Sequence, residues 1–181
     1  MSVKAVLDTF GASLVKQSRA NLTRKKKKAS GSLYKSLDYE VKESKNSFQF
    51  SFLMEDHGDF IDKGVKGVGG TKADGTNWKK KKVTNNKYSY RNPSRTNSNG
   101  RFKQSLGGWT IRKGIAPRNK KGQFTTRKSL IFAIRKSIFH TGIETTNFYS
   151  KPFELAFKKL PDDVVEAYGL ELDKFLEASI K

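Results

Sequence analysis

Residues 37–54 read LDYEVKESKNSFQFSFLM. Leu37, Tyr39 and Val41 alternate with polar residues, a polar turn follows over Ser44 to Asn46, and Phe48, Phe50, Phe52 and Met54 then alternate with Ser47, Gln49 and Ser51. Period-two alternation on both sides of a short polar loop predicts an antiparallel β-hairpin with one buried face. A face carrying three phenylalanines must pack on something apolar, and the flanking helical segments are the available partners.

Those segments lie on both sides of the hairpin. Upstream, Val3, Val6, Leu7, Phe10, Leu14 and Val15 recur at helical spacing, which predicts a helix over Val3 to Ala20 that ends in the polar stretch Asn21 to Lys28. Gly11 weakens that helix by roughly 1 kcal/mol relative to Ala. The run Lys25 to Lys28 reads as a solvated loop. Far downstream, Thr125 or Thr126 caps a helix through His140, with Leu130, Ile131, Ile134 and Ile138 as its apolar stripe. Ser150 caps a short helix with Pro152 in its first turn, ending near Leu160. Pro161, Asp162 and Asp163 open a last helix whose Val164, Tyr168, Leu172, Phe175, Leu176 and Ile180 recur every three or four residues. The expected fold is α+β, a small antiparallel sheet packed by N- and C-terminal helices in a single domain over residues 1–181.

The chain has 181 residues and a mass of 20.5 kDa, the size of one domain with room for a large insertion. Hydrophobic residues make up 35% of it, against about 45–50% in an ordinary globular chain, so part of the sequence is expected to sit outside the core. There is no Cys, which excludes disulfides and thiolate metal sites. No apolar run approaches the 18 or so residues of a membrane-spanning helix. The first fifteen residues, with Asp8 inside the apolar stretch, do not read as a signal peptide.

Lys and Arg number 37 against 17 acids, a net charge of +20. An excess of this size predicts attraction to polyanions or to an acidic protein partner. It is concentrated: residues 61–125 hold 17 basic side chains and only Asp62 and Asp74, while residues 144–181 hold 8 acids against 5 bases. The central segment also contains 10 of the 15 glycines. Its composition predicts a long basic Gly/Asn-rich loop or arm over residues 65–124, unable to bury enough apolar surface to order itself alone. It nevertheless carries Trp78, Tyr88, Tyr90, Phe102, Trp109, Ile111 and Phe124, which are costly to leave in water. Either short hairpins around Tyr88 to Tyr90 and Trp109 to Ile111 cover them within the subunit, or they dock on a neighbour.

Catalysis is not expected. Asp38, Glu40 and Lys42 spell D-x-E-x-K, faintly like a metal-dependent nuclease, but on a strand they form the solvent face opposite Leu37, Tyr39 and Val41. Asp56, His57, Asp59 and Asp62 are hard ligands for a divalent cation, yet their spacing is not that of an EF-hand loop, and a polar strand-to-loop junction accounts for them. His57 and His140 are the only histidines, and His140 suits a helix C-terminus. Gly67, Gly69 and Gly70 spell G-x-G-G, too short for a phosphate loop. Neither a cofactor nor a metal is expected.

Three local features together carry a family resemblance: the lead Gly31-Ser32-Leu33-Tyr34-Lys35-Ser36-Leu37 into the hairpin, the turn Asp59-Phe60-Ile61-Asp62-Lys63-Gly64 after the Phe-rich strand, and the step Pro152-Phe153-Glu154-Leu155-Ala156 into the terminal helices. They resemble the head–tail connector or tail-completion proteins of tailed phages, which form neck rings between portal and tail. The family's proline-aromatic step is preceded by a basic residue, here Lys151. The resemblance implies a non-catalytic virion protein, assembled in the host cytoplasm into a homo-oligomeric ring, with twelve-fold order favoured over six-fold. It implies contacts with portal and other neck or tail proteins, genomic DNA passing through the channel, and no membrane. The arm residues expected to touch partner or DNA are Trp78, Lys79, Lys80, Lys81, Lys82, Tyr88, Tyr90, Arg91, Arg95, Arg101, Trp109 and Arg112. The alternative expectation is a basic, non-catalytic nucleic-acid-binding protein, in which lysines contact phosphates and interleaved aromatics stack on bases.

Overall fold

A computed structural model of the chain describes residues 2–27, 30–44, 47–84, 87–90, 101–119 and 121–179. The fold is α+β. In chain order it comprises α1 (Val3–Arg24), α2 (Ser32–Ser36), β1 (Asp38–Ser44), β2 (Ser47–Leu53), α3 (His57–Lys63), β3 (Val65–Lys66), α4 (Arg101–Arg112), α5 (Arg127–Thr141), β4 (Gly142–Ile143), α6 (Ser150–Phe157) and α7 (Leu160–Ser179). These elements form two compact units, Met1–Gly58 with Asn147–Lys181 and Asp59–Thr146. No helix among the described residues is long and apolar enough to cross a membrane.

In the first unit the hairpin forms as the alternation predicts. β1 and β2 pair antiparallel, with Tyr39 opposite Phe52, Val41 opposite Phe50 and Glu43 opposite Phe48. Phe50 and Phe52 of that face are half-buried and pack on aromatic neighbours, while Phe48 is exposed. Phe10 of α1 meets Phe50 edge-on at 5.1 Å and Phe153 of α6 at 5.9 Å, and Phe52 stacks on Tyr149 at 5.6 Å. Val3, Val6, Leu7, Phe10, Leu14 and Val15 are all buried, and Leu22 with them, because α1 runs one turn beyond Ala20 to Arg24. The Asn21 side chain makes that extra turn useful, donating through Nδ2 to the Phe148 carbonyl at 3.1 Å. Ser2 supplies the N-cap, accepting from the Ala5 amide.

Gly11 has a positive reason to be glycine. A Cβ built there would lie 2.4 Å from Cδ2 of Tyr39, so the ring of β1 rests directly on the α1 backbone. Gly11→Ala gains roughly 1 kcal/mol of helix propensity but forces the ring away, a steric cost of about 1–3 kcal/mol. The expected result is net destabilisation, read as a lower urea midpoint. An unchanged or higher midpoint would mean that Tyr39 moves aside freely.

The C-terminal helices differ from expectation in two details. Ser150 is the first helical residue of α6 and Tyr149 is its N-cap, so the serine does not cap, and α6 ends at Phe157. The apolar stripe of α7 is split. Leu160, Val164 and Ala167 pack against the buried cluster Val3, Val6 and Leu7, whereas Tyr168 is 62% exposed and Leu172 is 47% exposed. Glu171 completes the packed side by accepting from the Val3 amide at 3.3 Å. Ile180 lies outside the described residues.

The second unit contains the basic segment, which carries two regular elements, β3 and α4. β3 pairs antiparallel with β4, Val65 opposite Ile143 and Lys66 opposite Gly142. Val68 and Gly69 continue the ladder by donating to the carbonyls of Phe139 and His140 at 3.1 and 2.9 Å. On the other side of Lys66 a parallel bridge to Ser89 forms, with Lys66 donating to Tyr88 and Tyr90 donating to Lys66. The expected hairpin around Tyr88 to Tyr90 is thus replaced by a parallel pairing with residue 66. Trp109 to Ile111 are helical, in α4, and form no hairpin. α4 packs on α5, with Leu106 and Thr110 buried and Gly107 close enough that an added Cβ would touch Ile131 at 3.7 Å. α5 begins as predicted at the Thr126 cap, whose hydroxyl accepts from the Ser129 amide.

Candidate functional site

The G-x-G-G run supplies close approach of backbone. A Cβ at Gly67 would sit 2.3 Å from the His140 carbonyl, and Gly142, at φ +85°, would place one 2.4 Å from the Val65 carbonyl. Only glycines let the two chains lie this near. That approach brings segment 66–84 against residues 139–145, and three further hydrogen bonds extend it: Lys81 donates to the Thr141 carbonyl at 2.8 Å, Thr145 to the Lys82 carbonyl at 3.3 Å, and the Thr84 amide to Thr145 Oγ1 at 3.0 Å.

The four lysines Lys79, Lys80, Lys81 and Lys82 therefore sit on a backbone that is pinned at two points, and all four are exposed. No carboxylate among the described residues pairs with any of them. Such a run presents four charges from a held backbone and loses less chain entropy on meeting a polyanion than a floppy tail.

Of the arm's large apolar residues, Trp78, Tyr88, Tyr90 and Trp109 are half-buried, whereas Ile111 and Phe124 are 62 and 69% exposed. Trp78 is half-buried and stacks on the His140 ring at 5.1 Å with 5° between planes, with the Lys72 ammonium 5.3 Å from the indole. His140 in turn donates through Nδ1 to the Gly69 carbonyl. Tyr90 lies beside Phe139 at 5.7 Å, where burial pushes its phenol above the ordinary range. Tyr88 packs on Phe60 at 4.5 Å and donates to Asp59. Trp109 is half-buried on α4, and Arg112 on the same helix is exposed. Arg91 and Arg95 lie outside the described residues, as does the side chain of Arg101.

Asp59 is the residue that the sequence did not single out for this role. It takes an ion pair from Lys63 at 2.8 Å, one helical turn on, and another from Lys87 at 3.1 Å, besides the Tyr88 hydroxyl. Burial alone would raise its pKa, but the hydrogen bonds from Lys63, Tyr88 and Lys87 outweigh that and hold the carboxyl well below its ordinary 3.8. Tyr88 and Asp59 likewise hold the Lys87 ammonium above the ordinary lysine range. A lowered carboxylate pKa contributes stability above its unfolded value, and the contribution is lost as pH falls through the folded value. The tie from α3 to residues 87–88 is thus complete at neutral pH; its contribution shrinks as pH falls below about 4, the unfolded value, and is gone only once pH passes the still lower folded value. Asp59→Asn should weaken it by on the order of 2 kcal/mol at pH 7, read as faster hydrogen exchange at the Lys66 and Tyr90 amides. Unchanged exchange would show that the backbone ladder alone holds the segment.

Asp38, Glu40 and Lys42 are exposed on β1, and Lys42 pairs with Glu40 at 3.3 Å. Asp62 is fully buried, and its backbone carbonyl accepts from the Thr146 amide. Among the described residues no group of three or more His, Asp or Glu is placed to share a metal ion.

The first unit adds a feature without a sequence signal, an open groove of about 820 Å³ along α1. Lys16, Arg19 and Arg24 line it with Tyr34, Asp38 and Tyr39. Arg19 is committed to structure there, donating to the carbonyls of Tyr34 and Leu37 at 3.1 and 2.8 Å. Comparison with protein families, curated proteins and solved structures finds no match to this chain.

Proposed function

We propose that this chain is a structural protein of a tailed-phage virion, a subunit of an oligomeric neck ring that joins portal to tail through its basic segment and leaves a channel for DNA. The observation that carries the proposal is the run Lys79 to Lys82, exposed and unpaired among the described residues on a backbone held by Thr141 and Thr145. A ring wall facing passing DNA, or an acidic neighbour, needs cations displayed in fixed positions. The phage-connector motifs of the sequence supply the choice of assembly. The work is done by surface, with no catalytic group.

Mixing the chain with portal-bearing, tailless capsids and imaging the portal vertex tests the proposal. A ring of fixed copy number at the vertex is the expected result, and capsids with bare portals at saturating protein would overturn it.

The second reading, a non-catalytic nucleic-acid-binding protein, is favoured by the same lysines. It takes a restricted form, because Trp78, Tyr88 and Tyr90 are packed on His140, Phe60 and Phe139 and leave phosphates as the main target. Binding of that kind is independent of sequence and steeply salt-dependent.

A further inference from the structure

Two adjacent stripes of α7 differ in what covers them. One stripe packs on α1, and the next, formed by Val165, Tyr168 and Leu172 at spacings of three and four, is 72, 62 and 47% exposed. On a helical projection Asp162, Glu166 and Asp173, all exposed, line the outer edge of that stripe. Residues 160–173 contain five acids and no Lys or Arg. This is an apolar strip with an anionic border.

The converse surface occurs on α5. Phe132 is 66% exposed, four residues after Lys128 and four before Lys136, both exposed on the same side of the helix. Residues 126–143 contain four bases and no acid. An aromatic side chain between two cations is the complement, in polarity and in sign, of an apolar strip bordered by carboxylates. Buried aromatic anchors flanked by paired charges are the usual energetic centre of a protein interface.

We propose that Tyr168 and Leu172 of α7 in one copy receive Phe132 of α5 from a second copy, with Lys128 and Lys136 against the carboxylates of Asp162, Glu166 and Asp173. The two surfaces differ, so the contact is heterologous: each copy offers one of each and passes the chain of contacts on, closing where the rotation permits a ring. This inference rests on the ring reading for its closure and on charge complementarity for its partner. It gives that reading a named contact.

The test uses three preparations of the full chain: wild type, Phe132→Glu and Tyr168→Lys. Both substituted positions are more than half exposed, so folding is expected to survive and is checked by circular dichroism. At a concentration where wild type assembles, each variant alone should be monomeric. A 1:1 mixture should give a dimer and nothing larger, since each variant keeps one intact face and the pair completes one contact. The milder Phe132→Ala should weaken assembly about tenfold or more. Variants that assemble like wild type would overturn this contact and leave the ring reading standing. Wild type that stays monomeric at every concentration, both alone and with added portal protein, would overturn both. Variants that are monomeric but give no dimer on mixing would place the two faces in separate contacts and overturn the pairing proposed here.

Discussion

Changing Lys79, Lys80, Lys81 and Lys82 together to Gln is expected to leave the fold intact and to lower the salt dependence of DNA binding by about 3–4 in slope, since each neutralised phosphate contributes about 0.9. Over a fourfold rise in salt, wild type should then lose on the order of a hundredfold more affinity than the variant. The fold should tolerate the change because the segment is held through main-chain atoms, Lys81 N to Thr141 O and Thr145 N to Lys82 O, which Gln retains. Fluorescence anisotropy with a duplex of arbitrary sequence at several salt concentrations measures the slope. A slope that does not change would remove DNA as the target of these lysines. Portal retention lost in the same variant would then assign them to a protein neighbour.

Phe148→Ala is the second large effect, expected to remove about 3–5 kcal/mol of stability. Phe148 is completely buried, lies edge-on to Tyr149 at 5.4 Å and presents its carbonyl to Asn21 of α1. Truncation leaves a cavity beside Tyr149, on a stretch of backbone that Asn21 ties to α1. Since a domain of this size has about 5–15 kcal/mol in all, the variant should be marginal at 37 °C. Urea unfolding followed by far-ultraviolet circular dichroism reads the loss. A shift under about 1 kcal/mol would mean that the site repacks, and that α1 and the C-terminal helices are held elsewhere.

The elements that could be read from the sequence are those whose signal is local. The hairpin declares itself by alternation, and α5 by its Thr126 cap and apolar spacing. Each of these depends on residues within a dozen positions. The ladder joining residues 66–69 to 139–143 has no such signal, because its partners are some seventy residues apart and two of its members, Gly67 and Gly142, are required by how closely two backbone segments approach. Composition alone therefore made residues 65–124 look like an unstructured arm. α4 was hidden for a related reason: Gly107 and Gly108 lower its helix propensity. Gly107 nonetheless faces Ile131 of α5, where a small residue lets the helices meet.

The candidate surface was legible in part. The lysine run was evident from charge counting, and all four lysines are exposed. The roles of the aromatics were not, since an aromatic beside a lysine has the same appearance in sequence whether it faces a base or its own core. Trp78 is held by His140 and Tyr88 by Asp59, and both partners lie far from them along the chain. In α7, periodicity shows that apolar residues recur but not which of two adjacent stripes is covered, so the exposure of Tyr168 and Leu172 emerges only from packing on Val3 and Val6.

Absolute mass by light scattering, with negative-stain imaging of the same sample at low and high salt and without nucleic acid, bears most directly on the ring. A closed particle of fixed copy number, or a monomer that closes only when a portal protein is added, is the predicted result. A strict 20.5 kDa monomer that ignores the portal and binds DNA with a steep salt slope would contradict it.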